Sequence, residues 1–287
     1  MEGIVVDRAL VNKRHAGCRV RAGLPITRID SCADMEVAYM RLLSSRREDL
    51  WRGPGTNAEE LRRIREKRGE KIAAVDPESE RLLGWISIYP NRDAGGLFFA
   101  LAGIEVLPAW RGMGIGTGLV DQAGVYLREH KATRLKFGTS PLLTWNAALY
   151  MRHFGMRYTW KESVRTPEGK PWPYVSCEWD LDDTLVKPPE LMHEELEARS
   201  AVDWSGRNPT PRRGIVYTGP LFLPLPDLSN DDLADCVVRT PDFLSIMYRI
   251  FHELHRHGYR FAWFDAIPSA VAPQSRWFYF MENPFGL

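Results

Sequence analysis

Glu105-Val106-Leu107-Pro108-Ala109-Trp110-Arg111-Gly112-Met113-Gly114-Ile115-Gly116-Thr117-Gly118 follows an apolar segment, Leu97 to Ile104, and runs into Leu119-Val120-Asp121-Gln122-Ala123, which has helical character. The order is strand, glycine-rich turn, helix. Glycines at 112, 114, 116 and 118 let backbone amides approach a ligand with no Cβ in the way. The helix N-terminus adds partial positive charge, so the turn suits a phosphate. Glycines also serve as plain turn residues, and their order decides between the readings. Thr117 stands where G-x-G-x-x-G needs its last glycine, and no Gly-Lys-Ser/Thr follows. Both the dinucleotide fingerprint and the P-loop are therefore excluded.

Arg111-Gly112-Met113-Gly114-Ile115-Gly116, with Val106 and Pro108 upstream, resembles the R/Q-x-x-G-x-G/A acyl-CoA motif of the GNAT acyltransferase superfamily. The resemblance implies an α+β fold with a mixed, mostly antiparallel central sheet flanked by helices. It implies acyl-CoA as donor, with acetyl-CoA the expected form. The amides and side chains of Val106, Arg111, Gly112, Met113, Gly114, Ile115, Gly116 and Thr117 would hold the coenzyme.

Composition is consistent with this. A chain of 287 residues with 44% hydrophobic content can bury a sizeable core. A net charge of +1 provides no global drive toward nucleic acid or a membrane. Cys18, Cys32, Cys177 and Cys236 form no C-x-x-C pair, so free thiols in a reducing compartment are expected. No apolar N-terminal h-region and no run near the roughly 18 residues of a membrane span is present, so a soluble, cytoplasmic protein is expected.

Along the chain, residues 1–25 read as an N-terminal arm. Ile26 to Asp30 alternates apolar and polar residues, the period of a strand. Ser31 or Asp34 caps a predicted helix to about Trp51, and a second, highly charged helix runs from Asn57 to about Arg68. Lys71 to Val75 and Leu82 to Tyr89 read as a hairpin across Asp76-Pro77-Glu78-Ser79-Glu80, whose residues suit a turn. The long strand ending at Glu105, the motif, its helix to about His130 and a strand from Arg134 to Gly138 follow. Pro141 to Met156 resembles the family's second motif, a helix stopped by Gly155. Many members carry Tyr four residues before that glycine as the acid that protonates the leaving thiolate. Here Met151 occupies that position and Tyr150 stands one residue earlier, about 100° around an α-helix. Thr144 replaces the usual Asn near the helix start.

Arg157 to Arg165 and Tyr174 to Leu181 read as the last two core strands, so the acyltransferase core spans 26–181. Residues 182–213 are rich in Pro, Glu and Arg with weak periodicity, which predicts a linker with one short acidic helix from Pro189 to about Arg199. Residues 214–287 read as a β-α-β-β module. Its strands are Val216 to Leu223, Tyr259 to Phe264 and Trp277 to Met281. Its amphipathic helix is capped by Thr240-Pro241-Asp242 and closed by Gly258. The module is too small for confident independence and is expected to pack on the core beside the acceptor.

Acyl transfer to an amine needs a thioester held still, a neutral amine aimed at it, and relief of charge on the oxyanion and thiolate. By resemblance, Glu105 would take the amine proton directly or through water; the plain alternative is a sheet-edge carboxylate. Tyr150 is a candidate proton donor if its helix is wound differently from the common form; otherwise it is a core tyrosine. His252-Glu253-Leu254-His255-Arg256-His257 misses H-E-x-x-H because Arg256 takes the second histidine's place, so no metal is expected. Phe261, Trp263, Phe264, Trp277, Phe278 and Tyr279 line either an acceptor pocket or simply the core.

The resulting expectation is direct acyl transfer to an amine of a small or medium-sized acceptor. Arg62, Arg63, Arg65, Lys67 and Arg68, with Arg46, Arg47 and Arg52, leave a tRNA partner and an aminoacyl-tRNA donor as an alternative. Met151 in the acid's place leaves a non-catalytic acyl-CoA sensor as another. A homodimer is also left open.

Overall fold

β4 (Gly96–Val106), the strand that leads into the glycine turn, has a different partner on each side. On one side it pairs antiparallel with β3 (Leu82–Asp93), which pairs in turn with β2 (Glu70–Val75), and β2 with β1 (Ile26–Arg28). On the other it pairs in parallel with β5 (Arg134–Thr139). A parallel neighbour requires a crossover, and α1 (Ile115–Glu129) supplies it. Ile115, Leu119, Val120, Ala123, Tyr126 and Leu127 recur at helical spacing and are all buried against the strands. Pairing of β4 with β5 covers only Phe99↔Leu135 and Ala100↔Lys136, although β4 continues to Val106. The two strands therefore lose their ladder on the side where the glycine turn begins.

The computed structural model describes residues 26–28, 62, 64, 66–76, 82–162, 164–166, 169–183, 200–205, 208–211, 221–225, 237, 239–240, 242–267 and 276–282. The arm over 1–25, the helix expected over 34–51 and the acidic helix expected over 189–199 lie outside the described residues. The chain divides into two compact units. The first takes in the strands to Phe137 together with Asp180–Asp182; the second takes in Gly138 to Trp179 and the residues from Asp183 onward. This is an α+β fold with a mostly antiparallel sheet.

In the second unit, α2 (Thr144–Ala147) continues directly into a π-turn, Ala148–His153. β6 (Arg157–Trp160) and β7 (Val175–Asp180) then form an antiparallel pair. β6 is shorter than the expected strand to Arg165; beyond Trp160 the two segments are joined by single backbone bonds such as Lys161 N–H to the Tyr174 carbonyl and by the isolated bridge Arg165↔Pro171. β8 (Val202–Ser205) and β9 (Asn208–Pro211) pair where weak periodicity predicts linker. Prolines at 209 and 211 hide that strand from a propensity reading, yet a two-stranded ribbon is all edge, where proline is tolerated.

β10 (Leu221–Leu225), β12 (Arg276–Glu282) and β11 (Arg260–Ile267) form a three-stranded antiparallel sheet in that spatial order. α3 (Phe243–Arg256) buries Phe243, Leu244, Met247, Ile250, Phe251 and Leu254, the stripe expected from the sequence. Asp242 makes no side-chain capping bond, contrary to the expected cap; the first turn is closed by backbone bonds such as Phe243 N–H to the Thr240 carbonyl, 2.9 Å. Gly258, at φ 82°, stops the helix in the left-handed conformation, with Tyr259 N–H donating back to Leu254. β11 packs on β6 and on the π-turn. Phe251 stacks on Trp160 with centroids 5.5 Å apart, and Tyr279 meets Phe261 at 5.0 Å. Among the described residues no helix is long and apolar enough to cross a membrane.

Candidate active site

Arg111 folds back from the glycine turn onto the end of β4. Its Nε donates to the Val106 carbonyl at 3.0 Å, and its Nη2 lies 3.3 Å from the Glu105 carboxylate. Glu105 is 17% exposed at its side chain, so it is a shielded carboxylate held by a guanidinium rather than a free surface acid. Arg111 thereby ties the glycine turn to the last two residues of β4.

The turn has the backbone that phosphate binding requires. Gly112 has φ 76° and Gly114 φ 81°, left-handed values that an L side chain adopts only at a cost. Gly114 is the N-cap of α1, makes no side-chain cap, and no acid lies in the first turn. The positive end of α1 is therefore not neutralised by its own sequence. A Cβ at Gly112 would meet nothing within 4 Å, so the approach to the turn is open on that side. The residues present fit a pyrophosphate. Ile115 and Thr117 are each 4% exposed, so they can offer a ligand their backbone but not their side chains; Met113 is half-buried.

Sequence reading missed Gly84. An added Cβ there would lie 2.7 Å from the Glu105 carbonyl and 3.3 Å from Ile115 Cγ2. This glycine in β3 lets the end of β4 and the start of α1 close on each other. A lone glycine inside a strand was the available signal.

In the second unit, the helix carrying Tyr150 is wound differently from a plain α-helix. Tyr150 is five residues before Gly155, which has φ 65° and ends the turn with Met156 N–H donating to the Tyr150 carbonyl at 2.9 Å. Tyr150 is 2% exposed, and burial holds its hydroxyl pKa far above the usual value near 10. The hydroxyl keeps its proton throughout the physiological range. Met151 is equally buried.

Two hydrogen bonds anchor the start of this helix. Asn146 Nδ2 donates to Thr139 Oγ1 at 3.2 Å, and Tyr279 OH donates to the Pro141 carbonyl at 2.7 Å. A Cβ on Gly138 would run into the Tyr174 hydroxyl. Of the aromatic residues weighed as a pocket, Phe264 and Tyr279 are fully buried and Phe261 and Trp263 half-buried; the side chains of Trp277 and Phe278 lie outside the described residues.

The remaining clusters have plain partners. Arg62 pairs with Glu66 at 3.0 Å, and Lys67 lies 4.9 Å over the Tyr89 ring. The side chains of Arg46, Arg47, Arg52, Arg63 and Arg65 lie outside the described residues. His257 meets Glu253 at 3.0 Å on the helix expected to hold no metal, and among the described residues no group of three or more potential ligands converges. Cys177 is a buried free thiol; the other three cysteines lie outside the described residues.

Residues 38–156 match the family described as the acetyltransferase (GNAT) family, so this stretch of the chain is similar to GNAT acetyltransferases. Solved structures similar to it include an acetyltransferase of the GNAT family from Desulfovibrio desulfuricans, 14% identical over 55% of this chain and 99% of that one, with TM-score 0.45. A NatC complex bound to Gag peptide and CoA is 15% identical over 54% and 97%, at 0.44. A ribosomal-protein-alanine N-acetyltransferase from Brucella melitensis is 18% identical over 54% and 99%, at 0.43. No curated protein matches the sequence.

Proposed function

We propose that the protein transfers an acyl group, acetyl in the first instance, from acyl-CoA to an amine of a small or medium-sized acceptor by direct attack. The observation that carries this reading is the uncapped, left-handed Gly112–Gly114 corner at the N-terminus of α1, beside the point where β4 loses its ladder to β5. Val106 and the backbone from Arg111 to Thr117 hold the pyrophosphate of the donor. Glu105 receives the proton of the acceptor ammonium, leaving a neutral amine to attack the thioester carbon while the carbon–sulfur bond breaks. Tyr150 donates its hydroxyl proton toward the leaving thiolate; its place in the π-wound segment before Gly155 supports that role. Cys177 is not assigned as a covalent relay, because burial raises its thiol well above its usual range and suppresses the nucleophilic thiolate. Within the basic cluster Arg62 pairs with Glu66 and Lys67 lies over the Tyr89 ring, and acyl-CoA is preferred over aminoacyl-tRNA as the donor.

Isothermal calorimetry of the full chain with coenzyme A tests the reading. Binding that is lost in Gly114→Val, with the circular dichroism spectrum kept, supports it; equal affinity in both proteins removes it.

A further inference from the structure

Tyr279 lies in β12, the middle strand of the three-stranded sheet, with Leu223 opposite it on β10 and Phe264 on β11. It is fully buried. Its ring meets Phe264 at 4.7 Å, Phe261 at 5.0 Å, and Tyr158 and Phe251 at 6.3 Å each. Rings from β11, β6 and α3 therefore fix its direction. The hydroxyl at its tip donates to the Pro141 carbonyl at 2.7 Å, a partner 138 residues away in the chain. Buried there, the carbonyl has no easy substitute for that donor, so the bond holds Pro141 in place. Pro141 opens the segment that ends at Gly155 and carries Tyr150. Local bonds at its start use other acceptors. Leu142 N–H donates to Ser140 Oγ at 3.3 Å, Leu143 N–H to the Ser140 carbonyl at 3.2 Å, and Ala147 N–H to the Leu143 carbonyl at 3.0 Å. From Ala148 to His153 the winding is π, a rare form that occurs as single turns, frequently at functional sites. β11 packs on that turn. Gly138 to Trp179 also belongs to the same compact unit as the residues from Asp183 onward. The C-terminal sheet thus supports the segment both at its start and along its π-turn.

We propose that Tyr279 is a positioning residue for acyl transfer: through the Pro141 carbonyl, its hydroxyl holds the π-wound segment in the arrangement that presents Tyr150. This rests on the assignment of Tyr150 as the proton donor to the leaving thiolate. Tyr279 touches no substrate and gives up no proton. Its role makes β12 part of the apparatus for acyl transfer, although the strand lies about 100 residues beyond the last strand that the acyltransferase pattern accounts for.

Tyr279→Phe removes the hydroxyl and keeps the ring. Hydrogen exchange of the full chain, read by mass spectrometry, should show the amides of 142–156 exchanging about tenfold faster, with β2, β3 and β4 unchanged. The kinetic probe is acetyl-CoA with water as acceptor, coenzyme A release being followed as free thiol in wild type, Tyr279→Phe, Tyr150→Phe and the double variant. In Tyr279→Phe, kcat should fall about tenfold while KM for acetyl-CoA stays within about twofold. In the Tyr150→Phe background the same substitution should cause no further loss, because Tyr279 acts through Tyr150. Phe264→Leu loosens the same ring without touching the hydrogen bond and should keep kcat near wild type. Unmoved exchange, additive losses in the double variant, or equal slowing in Phe264→Leu overturns the positioning role and leaves Tyr150 as donor. Tyr150→Phe as fast as wild type removes the donor assignment and this inference with it.

Discussion

The Arg111 guanidinium bridges the last two residues of β4, 3.0 Å from the Val106 carbonyl oxygen and 3.3 Å from the Glu105 carboxylate. One side chain from the anion-binding turn thus holds the residue assigned as base. Arg111→Ala should free Glu105 and remove a cation from the turn. With the Arg111 side chain 37% exposed, the pair contributes about 0–1 kcal/mol to stability, so the melting temperature should move little. Coenzyme A affinity, measured by calorimetry, should fall about tenfold or more, because a hydrogen bond to a charged group contributes roughly 1.5–3 kcal/mol.

Glu105→Gln keeps the shape of the side chain and removes its basicity. With an acceptor in hand, kcat should drop by roughly 100- to 10,000-fold, the range of general base catalysis, while coenzyme A affinity stays near wild type. A variant as fast as wild type at every pH would return Glu105 to the role of a sheet carboxylate.

Gly84→Ala places a methyl group 2.7 Å from the Glu105 carbonyl. The atom it meets is backbone and cannot swing aside, so the end of β4 must move. Overpacking of this kind costs about 1–3 kcal/mol. Thermal denaturation should reveal that loss, and coenzyme A binding should weaken with it although residue 84 touches no ligand.

Burial raises the hydroxyls of Tyr150, Tyr158 and Tyr279 and the thiol of Cys177 above their ordinary pKa values. For an acid raised on folding, the neutral form favours the native state; the stabilisation is complete below the unfolded pKa and is lost as pH climbs above it. Stability to urea should therefore be level through neutrality and decline above about pH 8.5, where an unfolded cysteine ionises, then more steeply above about pH 10 with the tyrosines. Cys177→Ala should remove the first part of that decline. A flat profile to pH 11 would show these groups to be solvated.

Phe251 stacks on Trp160 and contacts Phe261 and Tyr279 from within α3. Phe251→Ala should cost about 3–5 kcal/mol, typical of emptying a buried aromatic site. Loss of α3 alone, with β6 and the π-turn keeping their amide protection in hydrogen exchange, would contradict the packing of β11 on both.

Local chemistry made much of this protein legible from sequence. Glycines at 112 and 114 announce left-handed backbone, and the stripe from Phe243 to Leu254 announces a buried face, because each signal is confined to a few adjacent residues. Three features depended on what tertiary contact brings together. The displaced Tyr150 is turned by a π-winding, which inserts one residue without altering any periodicity that a short window can detect. Gly84 matters because β4 lies beside β3 in one register, and only strand pairing brings it against the Glu105 carbonyl. Prolines at 209 and 211 argue against a strand by propensity, yet the backbone pairs there because a ribbon edge does not need the missing N–H.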